Sequence, residues 1–123
     1  MKTLKLDAVN DYSAAIGEAS KILKSGGVVA VPTETVYGLA ASAYDDNAIK
    51  AIFTAKGRPQ DNPLIVHISN LDMLSNIARD IPNVAYDCAR AFWPGPFTMV
   101  LPKGNKIADS VSGGLQTVAV RFP

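Results

Sequence analysis

Apolar residues recur at helical spacing over residues 11–25, where Ala15, Ile16, Ala19, Ile22 and Leu23 form a stripe. That spacing predicts a helix, and Gly26-Gly27 stops it. The run from Val28 to Pro32 is continuous rather than periodic and reads as a short buried strand ended by proline. A second helix is predicted from about Asp46 to Lys56. Asp45 or Asp46 can cap it, Ala48, Ile49, Ile52 and Phe53 turn inward, and Gly57 ends it. Leu64 to Ile68 reads as a strand, and Asn70 can cap a helix with Leu71, Leu74, Ile77 and Ala78 inward. Pro82 opens another helix with Val84, Cys88, Ala91 and Phe92 on one face, and Trp93-Pro94-Gly95-Pro96 breaks it. Phe97 to Leu101 and Thr117 to Phe122 read as the last strands. Strands alternating with helices predict an α/β protein (α+β by some schemes), a twisted, partly parallel mixed sheet flanked by helices.

Composition narrows the class. The 123 residues make one domain's worth of chain, and 48% apolar with 19% charged residues indicates a folded, globular protein. A net charge of +1 weighs against non-specific nucleic-acid binding but leaves room for a local basic patch. The single cysteine, Cys88, permits no internal disulfide and suits a cytoplasmic setting; its place on an apolar helix face makes it core rather than a nucleophile. No apolar run approaches the roughly 18 residues of a membrane span, so no membrane association is expected. Thr117 to Pro123 reads as a buried strand and the first residue of a turn, from which a domain over 1–123 incomplete at its C-terminus is expected.

In open α/β sheets ligands collect at the carboxyl ends of strands, and three such places here carry unusual polar residues. The first is Pro32 to Gly38, where Thr33, Glu34, Thr35 and Tyr37 follow a strand directly. The threonines read equally as hydroxyls for a small polar ligand or as a helix cap. The second is Ala55 to Ser69. Pleat alternation places Leu64, Val66 and Ile68 on the core face and Ile65, His67 and Ser69 on the other, so the chain's one histidine faces away from the core. Lys56 and Arg58 sit at a helix C-terminus, where they can complement the macrodipole. Pro59 and Pro63 stiffen the loop that carries Arg58 and Asn62, which suits phosphate or nucleotide recognition. The third is the last strand, where Val118, Val120 and Phe122 alternate with Thr117, Ala119 and Arg121. An arginine inside such a strand needs a partner, either a carboxylate ligand or an internal Asp or Glu. One histidine and one cysteine cannot make a His/Cys zinc site, no Walker or Gly-x-Gly-x-x-Gly motif is present, and Trp93 reads as packing.

Four blocks in order, PTETVYGLA, IFTAKGRPQDNPLIVHI, FWPGPFTMVL and TVAVRFP, closely resemble the YrdC-like threonylcarbamoyl-AMP synthase family from about Ser20 to Pro123. The resemblance implies a YrdC-like fold around a basic cavity. It also implies a nucleotidyltransferase that forms threonylcarbamoyladenylate and pyrophosphate from L-threonine, bicarbonate or CO2, and ATP, with Mg2+. Further proteins would carry the group to tRNAs reading ANN codons. By the same resemblance Thr35, His67 and Arg121 hold L-threonine, while Arg58, Asn62 and Thr117 hold the nucleotide and Lys56 faces the phosphates. Lys56, Arg58 and His67 are the catalytic candidates, with no metal ligand identified from the protein. The family's later Ser-Ala-Asn signature lies beyond this chain, so weak or absent activity and self-association through an uncovered sheet edge or face are expected. Two other readings stand beside this one. One is a non-catalytic RNA-binding module using the cations around Lys50, Lys56 and Arg58. The other is a carbamoyl-adenylate-forming domain of hydrogenase maturation.

Overall fold

The computed structural model describes residues 5–7, 9–10, 12–59 and 63–123. Helix α1 spans Tyr12–Lys24, strand β1 Val29–Val31, β2 Gly38–Ala40, helix α2 Asp46–Lys56 and strand β3 Ile65–His67. A 3-10 turn at Leu71–Met73 runs into α3, Leu74–Ile77. Helix α4 spans Asn83–Phe92 and strand β4 Thr98–Pro102. A second 3-10 turn at Asp109–Val111 precedes β5, Thr117–Arg121. The α/β class, with a mixed and partly parallel sheet, is as the alternation predicts.

Strand β5 is the centre of a three-stranded sheet in the order β3-β5-β4. It runs parallel to β3 and antiparallel to β4. Its core face carries Val118 and Val120, continued by Val66 on β3 and by Met99 and Leu101 on β4, all buried. Ile49, Ile52 and Phe53 of α2, Leu74 and Ile77 of α3, and Ala85 and Ala89 of α4 complete one continuous apolar cluster. Burying each large aliphatic or aromatic group contributes roughly 1.5–3 kcal/mol. Trp93 joins the core, 8% exposed, and its indole N–H donates to the Phe97 carbonyl at 2.6 Å. Cys88 is half-buried against the same cluster.

Helix α2 follows local rules closely. The Asp45 carboxylate caps it, accepting from the backbone N–H groups of Asn47 and Ala48 at 3.0 and 3.1 Å. Asp46, the alternative cap, instead pairs with Lys50 at 2.7 Å and accepts from the Ser110 backbone N–H at 3.2 Å and from the Ser110 hydroxyl. It therefore ties the start of α2 to the turn before β5. At the other end Gly57 adopts the left-handed conformation, φ 66° and ψ 29°. Its N–H reaches the Thr54 carbonyl at 3.3 Å, and the Arg58 N–H reaches that of Phe53 at 3.1 Å. This paired closure satisfies the terminal carbonyls with backbone donors alone. Asn70 caps the next turn through its side chain, accepting from the Met73 N–H at 3.1 Å.

Four expectations change. Residues 32–38 do not enter a helix: β1 and β2 form a separate antiparallel hairpin, pairing Val29 with Ala40 and Val31 with Gly38. Strand β1 is half-covered rather than buried, because that hairpin stands apart from the main sheet. Helix α1 buries only Ala15 of its stripe, and Ile16 is 49% exposed, since the helix rests on β1 rather than on the main core. On α4 the inward face is Ala85 and Ala89; Val84 and Phe92 are 63% and 57% exposed. The small pair four residues apart lets the helix approach the core closely, and Phe92 instead covers Phe97 from outside, ring centroids 5.0 Å apart. The first residue of the expected 11–25 helix, Asp11, lies outside the described residues.

Two consequences are measurable. Nothing lies within 4 Å of a Cβ built on Gly57, so Gly57→Ala acts through the left-handed backbone alone. It should cost about 1–2 kcal/mol by chemical denaturation, while Gly57→Asn should cost less. Lys50 and then the Ser110 hydroxyl and backbone N–H lower the Asp46 pKa from 3.8 to about 2. A lowered carboxylate stabilises the fold above its unfolded pKa and loses that contribution as pH falls through the folded one. The melting-temperature gap between wild type and Asp46→Asn should therefore hold above pH 3.8 and close as pH falls towards about 2.

Candidate active site

The β3-β5-β4 register lines up one row across the sheet: His67 lies beside Arg121, and Arg121 beside Thr98. All three alternate with buried neighbours, so the row faces away from the core. The Arg121 Nε–H donates to Thr98 Oγ1 at 2.9 Å, which fixes the plane of the guanidinium. One terminal nitrogen, Nη1, donates to Glu34 Oε1 at 2.7 Å. The strand arginine thus has an internal carboxylate partner, one of the two partners its sequence position allowed. Both side chains of this ion pair are 18% exposed, so it is shielded from solvent far more than an ordinary surface pair.

Glu34 reaches β5 because the β1–β2 hairpin turns over it. Thr33 Oγ1 accepts from the Thr35 and Val36 backbone N–H groups at 3.3 and 3.2 Å and donates to the Val36 carbonyl. Thr33 therefore builds the turn. A hydrogen bond from its own backbone N–H holds the Glu34 carboxyl below the usual range; partial withdrawal from water opposes this, and Arg121 and then His67 add to the lowering. Surrounding protein pushes the His67 pKa below 6.5, with Glu34 raising it and Arg121 lowering it further. That direction favours the neutral imidazole, the form that can accept a proton.

A concavity of about 640 Å3 opens beside this row, lined by Thr35, Lys56, Arg58, His67 and Arg121, with Val31, Ile49 and Ile52 among its apolar walls. Five of the seven site residues expected from sequence therefore share one hollow. Thr117 does not line it: it stands at the far end of β5, paired with Pro102 and exposed. Asn62 lies outside the described residues. Lys56 and Arg58 make no ion pair among the described residues. The α2 carbonyls beside them already have backbone donors, so neither cation is needed to close the helix, and both remain available to an anion. Sequence reasoning did not find Thr98. Its only signal is the β4–β5 register, which no local pattern reports.

A family model described as telomere recombination, Sua5/YciO/YrdC, matches residues 21–123. Over 105 residues the chain is 54% identical to the threonylcarbamoyl-AMP synthase of Pyrococcus abyssi, covering 85% of this chain and 31% of that protein. It is 44% identical over 118 residues to the Bacillus subtilis protein of that name, covering 95% of this chain and 34% of that one. The structure of P. abyssi Sua5 complexed with L-threonine superposes with a TM-score of 0.87 at 53% identity, covering 89% of this chain and 32% of that one. The protein belongs to the Sua5/YciO/YrdC family. It spans about a third of the length of these relatives.

The site makes a direct spectroscopic prediction. With one histidine in the chain, its imidazole proton signals are assigned without ambiguity. His67 should titrate with a midpoint below 6.5, and below the wild-type value again in Glu34→Gln, because the nearby negative charge that favours imidazolium is gone.

Proposed function

We propose that the concavity binds L-threonine and ATP and serves threonylcarbamoyl-AMP synthesis. The observation that carries this reading is the joining, in one hollow, of an oriented strand arginine with two cations that have no carboxylate partner among the described residues. The synthase name borne by relatives at 54% and 44% identity supports it over an RNA-binding module or a hydrogenase-maturation domain. Thr35, His67 and Arg121 hold the amino acid. Arg58, Lys56 and Asn62 hold the triphosphate, and Thr117 contacts the nucleotide where it extends along β5 beyond the hollow.

The chemistry needs positioning and charge stabilisation rather than a protein nucleophile. The threonine amine adds to CO2 derived from bicarbonate, forming the N–C bond of a carbamate, and neutral His67 takes the proton released. A carbamate oxygen then attacks the α-phosphorus; the new O–P bond forms as the bond to pyrophosphate breaks. Lys56 and Arg58 offset the charge that grows on the leaving group. Among the described residues no group of three His, Cys, Asp or Glu could hold a metal ion. The Mg2+ of this reading would enter on the phosphates of the nucleotide. The reading includes a cytoplasmic setting and downstream proteins that move the group to tRNA. No helix among the described residues is long and apolar enough to cross a membrane.

Ligand titration of the labelled protein tests the assignment. L-Threonine should shift amides around residues 35, 67 and 121, and D-threonine should not. Arg121→Ala should weaken L-threonine by at least about 10-fold and leave Mg-ATP unchanged, as expected for loss of charged hydrogen bonds. Arg58→Ala should do the reverse. Equal binding of the two enantiomers, or loss of both ligands in either variant, would overturn the division of the site.

A further inference from the structure

Glu34 has no part in that division, yet it stands against the residue assigned to the substrate carboxylate. The ion pair it makes is one-sided. Arg121 gives Nε to Thr98 and Nη1 to Glu34, while Nη2 has no partner among the described residues. Glu34 uses Oε1 for Arg121, and its Oε2 receives no side chain of another described residue. Arg121 thus keeps one free guanidinium nitrogen, and Glu34 one carboxylate oxygen that no side chain of another described residue reaches. The pair is held in place from both sides: Thr98 fixes the guanidinium, and the Thr33 turn sets the backbone under Glu34.

The local charge is the second clue. Arg121 and Glu34 cancel each other's charge, and the lowered proton affinity of the imidazole beside them favours its neutral form. Lys56 and Arg58 add positive charge elsewhere along the hollow, but directly at this pair a plain carboxylate gains little, since attraction to the guanidinium is offset by repulsion from the glutamate. A zwitterion meets no such conflict. The carboxylate and ammonium of an α-amino acid lie on adjacent atoms and can dock head-to-tail on the pair, carboxylate to guanidinium and ammonium to glutamate.

We propose that Glu34 and Arg121 form a zwitterion clamp in which Glu34 receives the α-ammonium group, so that the site selects α-amino acids over carboxylates lacking the amine. This deepens the amino-acid reading of the hollow and rests on it. Glu34 is a specificity residue and a holding point for the ammonium. Its low proton affinity suits an ionic contact, and leaves the later proton transfer to His67.

Calorimetric or amide-shift titration with L-threonine, glycine, L-alanine and 3-hydroxybutyrate, which keeps the carboxylate and hydroxyl of threonine without the amine, tests this in wild type and Glu34→Gln. Wild type should bind its best amino acid at least about 10-fold more tightly than 3-hydroxybutyrate. In Glu34→Gln that ratio should fall to near unity, with the amino acid weakened and 3-hydroxybutyrate strengthened. Wild-type affinities for 3-hydroxybutyrate and the amino acids that match would overturn the clamp without any variant. An unchanged ratio in a dispersed, folded Glu34→Gln would overturn it too, as would equal strengthening of both ligand types, the signature of a glutamate that only covers Arg121. Tighter binding of glycine or L-alanine than of L-threonine, with the ratio behaving as expected, would sink the threonine assignment and keep the clamp. Absence of binding by every amino acid would sink both.

Discussion

The position of β5 between β3 and β4 is the constraint on which the site depends. Side chains alternate strictly along a strand, so a slip of one residue would drive Arg121 into the core and lift Val120 into the hollow. Both outcomes are costly: one buries an unpaired guanidinium, the other exposes an aliphatic group that is fully buried. The hydrophobic requirement of the core face therefore fixes the register, and the register delivers the polar row on the opposite face. Packing and function here are two readings of one alternation.

The hairpin adds what the sheet alone cannot supply. Residues 87 positions apart in the chain meet when Glu34 folds over Arg121. The turn that brings them together is built by a hydroxyl bonded to backbone amides, so the glutamate is held by a local motif rather than by a long flexible loop. A second long-range tie, Asp46 to Ser110, closes α2 onto the segment that leads into β5. The two contacts join the hairpin, the helix bearing Lys56 and the strand bearing Arg121 around a single hollow.

How much of this the chain discloses depends on the range of each interaction. Helix α2 was legible from cap to closing glycine because every determinant lies within a few residues. The outward facing of His67 and Arg121 followed from pleat alternation in the same way. Thr98 and Glu34 were not legible as partners of Arg121, since pairing across strands and hairpins is set by tertiary register. Helix α4 shows another limit. Periodicity counts apolar character, and Val84, Cys88 and Phe92 satisfy it as well as Ala85 and Ala89 do; which face turns inward was decided by the space available. The helix-cap alternative for Thr33 failed for a related reason, because a hydroxyl that builds a turn has the same sequence as one that caps a helix.

The strand at the centre of the sheet is also the last of the three to be made. During synthesis β3 precedes β5 by about fifty residues. At roughly 5–20 residues per second it waits several seconds with no strand beside it. Until β5 is made, β3, and then β4 once residue 102 is reached, keep uncovered the edges that β5 will pair. The order of elements that places the polar row in the middle of the sheet thus also sets a period of vulnerability on the ribosome, when shielding by a chaperone would matter most.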